Sequence, residues 1–165
     1  MGNYDSDSYY DDILRTAVKA AAATGPLVIS PIPGTDLVVV GTIWGTMAAE
    51  IAKLNNVKLE KEAAVKIAVA VLTGLGAYAA SVKAFLYIIS KVPGIGWVAG
   101  SGVNSVANTA LTLWFAFALI DLFDEDGDVV DLEGYVTFLI SEVRPRNNGK
   151  KFARAAAFIK RWKQG

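Results

Sequence analysis

Between Lys91 and Asp121 the chain carries no charge, and apolar or small residues occupy almost every position in that interval. A helix that is apolar all round is buried, either in a protein core or in lipid. Elsewhere in the middle of the chain the apolar runs, rich in Ala, Leu, Ile, Val and Gly, are too long for single strands and predict helices. Four are expected: about Ser8–Ile29, about Asp36–Leu54, about Leu59–Ser90, and a fourth from "VPGIG" to about Phe123. Pro31 and Pro33 stop the first. Thr35 or Asp36 caps the second. The fold class is therefore all-α.

An internal repeat organises these helices. Ser30–Ala49 and Ser90–Thr109 align without gaps at an offset of sixty, with Ser30/Ser90, Pro33/Pro93, Gly34/Gly94 and Val38/Val98 coinciding. Each copy is a Pro-Gly corner between two helices, which predicts two stacked helical hairpins. Duplication and convergence on a common turn explain the coincidences equally well. After the corners stand Gly41-x-x-x-Gly45 and Gly96-x-x-x-Gly100, and Gly100, Asn104 and Asn108 continue the second stripe at four-residue spacing. Such stripes let helix backbones approach closely, between subunits in lipid or within a core in water. They predict helix contacts and a homo-oligomer.

Length bears on the choice between lipid and core. Trp97–Leu119 is uncharged over 23 residues, about 35 Å of helix against a hydrocarbon thickness of about 30 Å. The third helix has only Lys83 between Lys66 and Lys91, while the first two have shorter uncharged runs. A hydrophobic content of 53% against 19% charged also leans towards a membrane protein.

Charge divides the chain into an acidic segment (1–15), an apolar four-helix domain (16–123), an acidic loop with a short helix (124–146) and a cationic tail (147–165). Asp121 to Glu133 holds seven acidic residues, and Arg144 to Lys163 eight basic ones with no acid. Asp124, Asp126, Asp128 and Glu133 resemble calcium ligands on a glycine turn. Neither register fits an EF-hand, however: with Gly127 at the turn the first ligand is Leu122, and with Asp124 first the glycine position is Val129. A solvated helix stop explains the carboxylates better, and no other cofactor is indicated. In the tail, Phe152, Ala155, Ala156, Ile159 and Trp162 share a face away from Lys150, Arg154 and Arg161. Lys150, Lys151, Arg154, Arg161 and Trp162 suit an anionic lipid surface, although the same helix could pack on the bundle and pair with the acidic loop.

The chain has no cysteine and no histidine, which excludes disulfides, thiolate metal sites and imidazole catalysis. Asp36 is the one acid between Ala20 and Ala49 and reads as a cap. An enzyme is not expected. Zero net charge argues against a nucleic-acid partner, and the acidic opening "MGNYDSDSYYDD" lacks the basic start of a secretory signal.

"PIPGTDLVVVGTIWGTMAAEIAKLNNVKL" and "KVPGIGWVAGSGVNSVANTAL" resemble two signatures of the helical domain of unknown function often fused to Era-like small GTPases. The resemblance covers about Thr16 to Phe123 and leaves the acidic loop and tail outside. It implies an all-helical, membrane-associated module without activity of its own, with a separate small GTPase as a possible partner. The leading expectation is a non-enzymatic membrane-embedded or membrane-associated protein that self-assembles as a scaffold, remodeller or pore, at the cytoplasmic membrane of a bacterium or at a membrane facing the cytoplasm. The alternative is a soluble helical assembly or adaptor working with a small GTPase.

Overall fold

A computed structural model describes residues 5–23, 35–75, 92–99, 103–126, 132–143 and 149–165, with backbone alone at 5, 6, 35–37, 98, 99, 103–107, 124–126, 132, 133 and 149. A 3-10 turn at Asp5–Tyr10 leads into α1 (Asp11–Ala23); α2 (Thr35–Leu54), α3 (Lys61–Leu75), α4 (Ile95–Ala99) and α5 (Val103–Asp126) follow. A second 3-10 turn, Leu132–Tyr135, precedes α6 (Val136–Val143) and α7 (Gly149–Gln164). No strand occurs among the described residues, and the all-α class holds.

The later part of the uncharged run, in α5, lies at the centre of the bundle. From Asn108 to Phe123 every residue of α5 is buried except Asp121. α1, α2, α4, α6 and α7 all pack against it. Trp44 of α2 shows how closely: its Nε1 donates to Thr112 Oγ1 at 2.8 Å, and its ring stacks on Phe115 at 4.5 Å between centroids. The Thr112 hydroxyl in turn donates to the Asn108 carbonyl at 2.7 Å, so both of its roles are satisfied without water.

This arrangement corrects the expected membrane span over Trp97–Leu119. Among the described residues no helix is long and apolar enough to cross a membrane. Trp97 lies in the five-residue α4, whereas α5 starts at Val103 and ends in carboxylates. The apolar circumference of α5 meets neighbouring helices, which remove it from water as lipid would.

The closest antiparallel pair is α2 with α3, joined by a turn at Asn55–Asn56. Asn56 sits at φ 57°, Val57 N–H donates to the Ala52 carbonyl at 2.9 Å, and Asn56 N–H donates to that of Lys53 at 3.2 Å. This is a Schellman ending with asparagine in the left-handed position, and Val57 and Ala52 are both buried beneath it. Gly41 faces Val69 and Gly45 faces Val65, so four residues forward on α2 match four back on α3. The first glycine stripe thus lets two helices of the same chain approach.

A Cβ at Gly45 would lie 2.6 Å from Val65 Cα and 2.7 Å from its backbone N, which only a separation of the helices relieves. At Gly41 the sole close atom is the Val69 Cγ2 methyl at 2.5 Å, with the next at 3.7 Å. Gly45→Ala should therefore cost about 1–3 kcal/mol despite the helix propensity it gains. Gly41→Ala should cost less, about 1 kcal/mol, because only the Val69 methyl must move and not the backbone. Urea titration of the two variants measures the difference.

Ion pairs hold α7 on the bundle. Arg154, 3% exposed, donates from Nε and Nη2 to Asp7 at 3.0 Å each and from Nη1 to both oxygens of Asp121 at 2.9 Å. Its guanidinium carbon lies 4.4 Å from the Phe117 ring centroid. Burial alone would lower the Arg154 pKa, but hydrogen bonds and charge from Asp7 and Asp121 outweigh it and raise it above its ordinary value. A raised folded-state pKa contributes stability fully present below the unfolded value and lost only at still more alkaline pH. The guanidinium therefore stays charged over the whole ordinary pH range. Arg161 adds a two-pronged pair to Asp11 at 2.8 Å, and Lys151 Nζ lies 3.2 Å from Glu142 Oε2 and donates to the Glu142 carbonyl.

Candidate functional site

One end of the molecule combines exposed aromatic and basic side chains. The tight turn at the second Pro-Gly corner, with Gly94 at φ +81° and Ile95 N–H bonded to the Val92 carbonyl, buries Val92 and Ile95. The same geometry turns Trp97 outward, where it is 57% exposed. Trp162 of α7 meets it edge-on at 6.0 Å, and Phe158, fully buried, anchors Trp162 from below at 5.5 Å.

Lysines frame the two indoles. Lys163 Nζ lies 5.3 Å from the Trp97 ring centroid, and Lys19 Nζ lies 5.6 Å from that of Trp162. Both are within cation–π range. Lys19, Lys160 and Lys163 are exposed. Between the corner and α7 a shallow depression of about 520 Å³ is lined by Pro93, Gly94, Ala156, Ala157, Ile159 and the lysine stems. Its walls are apolar and its rim is cationic.

The residues singled out in the sequence fall in several places. Gly41 and Gly45 meet α3 of their own chain, and Gly96 has open space where a Cβ would stand. Asn108 is buried and its Nδ2 donates to the Ala21 carbonyl of α1 at 3.3 Å. Gly100 and the side chain of Asn104 lie outside the described residues.

Of the five tail residues expected at a lipid surface, Lys150 is exposed and Trp162 half-buried at the patch. Lys151, Arg154 and Arg161 are turned into the protein by Glu142, Asp7, Asp121 and Asp11. Their partners lie far away in sequence or on the preceding helix, and carboxylates at hydrogen-bonding distance draw them inward. The patch instead draws on Trp97, Lys19, Lys160 and Lys163. The signal for Trp97 was a bulky aromatic placed just after a Pro-Gly corner; nothing local linked it to Trp162.

Asp124 and Asp126 belong to the last turn of α5 and Glu133 to the second 3-10 turn, with side chains outside the described set; Asp128 lies outside altogether. Among the described residues no group of three or more acidic side chains is placed to hold a metal ion.

No curated protein and no solved structure matches the chain. The model of one family, described as a domain of unknown function (DUF697), matches residues 10–142. The match begins at Tyr10, just before α1, takes in the buried α5, and continues through the acidic segment to Glu142 in α6, which the resemblance leaves outside; α7 lies beyond it. With well over half of its length covered, this helical bundle belongs to the DUF697 family, a domain of unknown function.

Proposed function

We propose that the chain is a non-enzymatic, membrane-associated helical module that seats the Trp97–Trp162 end on an anionic, cytoplasm-facing lipid surface. The observation that carries this reading is the exposed Trp97 against the half-buried Trp162, with Lys19 and Lys163 at the two rings and the exposed Lys160 beside them on α7. Indole rings favour the headgroup level of a bilayer, and each lysine near an anionic surface contributes about 1 kcal/mol. Association of this kind is peripheral, reversible and sensitive to salt. Assembly of several copies on the membrane belongs to the same reading and uses faces other than Gly41 and Gly45, which α3 already covers.

Co-sedimentation with vesicles tests it. The protein should pellet with vesicles containing phosphatidylserine, remain in solution with phosphatidylcholine alone, and be released by high salt. Lys160→Ala with Lys163→Ala should weaken binding roughly 30-fold, about fivefold for each lysine. Trp97→Ala, at an exposed position, should weaken it further without changing the helical circular dichroism. Failure to bind anionic vesicles, or equal binding to neutral ones, would overturn the reading.

A further inference from the structure

We infer that the groove between α1 and α2 is a docking site for an amphipathic helix of a partner protein, one that carries a basic residue at the end entering beside Asp12 and Glu50. This goes beyond lipid association and uses a different surface.

The groove follows from antiparallel packing. Tyr10, just before α1, and Asn55, just after α2, bond through their side chains at 3.0 Å, which sets the start of α1 beside the end of α2. From there the two helices enclose an open trough of about 490 Å³ with Ile13, Ala17, Ile43 and Met47 on its floor and walls. Three threonines also line it, and each turns its hydroxyl back to its own helix: Thr16 to the Asp12 carbonyl at 2.9 Å, Thr42 to Val38 and Thr46 to Thr42 at 2.8 Å. With these donors satisfied locally, the threonines offer their methyl groups. Val39, one turn before Ile43, is 47% exposed and extends the apolar strip along α2.

Dimensions and charge select the occupant. Ile13 to Ala20 covers about 10 Å of helix, enough for two turns of a partner with aliphatic side chains at i, i+4 and i+7. Ala17 and Ala20 leave room for side chains of leucine size. Asp12 and Glu50 both stand at the Tyr10–Asn55 end and both are exposed. Arg15 reaches Asp12 only at 3.9 Å, with Asp12 fully exposed, a weak surface pair. The mouth therefore favours a lysine or arginine and disfavours anionic headgroups. The chain's own cationic helix does not fill it: Phe158 and Ile159 of α7 are buried elsewhere, and Arg154 and Arg161 are paired with Asp7 and Asp11.

The test uses fluorescence anisotropy without lipid. The probe is a labelled, stapled alanine-based helix with leucines at i, i+4 and i+7 and lysines at one end; a control carries glutamates there. The lysine peptide should bind saturably and the glutamate peptide several-fold more weakly. Glu50→Lys should lower affinity for the lysine peptide about fivefold. Thr46→Phe, a rim substitution that leaves the buried residues intact, should abolish binding by filling the trough. The inference fails if the lysine peptide shows no binding up to roughly millimolar concentration, or binds Thr46→Phe as well as the unaltered protein. It fails equally if the chain forms a dimer that Thr46→Phe disperses, which would make a second copy the occupant. Because lipid is absent, the result stands apart from the vesicle experiment.

Discussion

Arg154→Met is expected to lower the free energy of unfolding by about 3–5 kcal/mol, the cost of leaving a buried charge without its partner. The stranded group is Asp7, only 5% exposed and held by both Nε and Nη2 of the arginine. Asp121 suffers less, because its side chain is 37% exposed and water can replace the lost bonds. The methionine keeps the packing against Phe117 and so isolates the charge. A second substitution, Asp7→Leu, should then recover most of the loss, since a buried ion pair and an apolar pair of similar volume are often close in stability. Urea denaturation of the single and double variants measures both steps. If Arg154→Met were as stable as the parent, the pair would not be organising α7.

The other large effect is expected at Trp44. Trp44→Ala should cost about 3–5 kcal/mol, because it empties a fully buried site against the central helix. Trp44→Phe should cost only about 1–2 kcal/mol. It keeps a ring beside Phe115 and loses the indole bond to Thr112, whose hydroxyl still donates to Asn108. The ordering Ala, then Phe, then the parent in denaturant midpoint would separate packing from hydrogen bonding. Near-equal midpoints for the two variants would mean that the bond to Thr112 dominates.

Local chemistry was legible in the sequence. The second helix, expected over Asp36–Leu54, occupies Thr35–Leu54, because a Thr-Asp start and an Asn-Asn end leave few other boundaries. The first was expected over Ser8–Ile29; the described α-helix covers Asp11–Ala23 with a 3-10 turn before it, and the expected end at Ile29 lies outside the described residues. The glycines signalled close approach, and Gly45 has it, although the sequence could not say that α3 was the neighbour. The uncharged run was ambiguous for a physical reason: lipid and a protein core remove the same apolar surface from water. What decides is whether other helices suffice to surround it, and that is a property of the whole packing. The tail was ambiguous for a related reason. Arg154 on a helical wheel is a surface cation until Asp7, far away in sequence, is brought beside it.

That separation has a kinetic side. Asp7 and Arg154 are 147 residues apart, and closing a flexible loop of that length costs roughly 4 kcal/mol in chain entropy. The pair is thus in no position to nucleate folding, which begins more cheaply in near neighbours such as the α2–α3 hairpin. The pair is therefore expected to close late, and interactions that form after the transition state act mainly on the unfolding rate. In the finished bundle Arg154 ties the turn before α1 to α7 and α5, so its loss is expected to show chiefly as faster unfolding in stopped-flow denaturation.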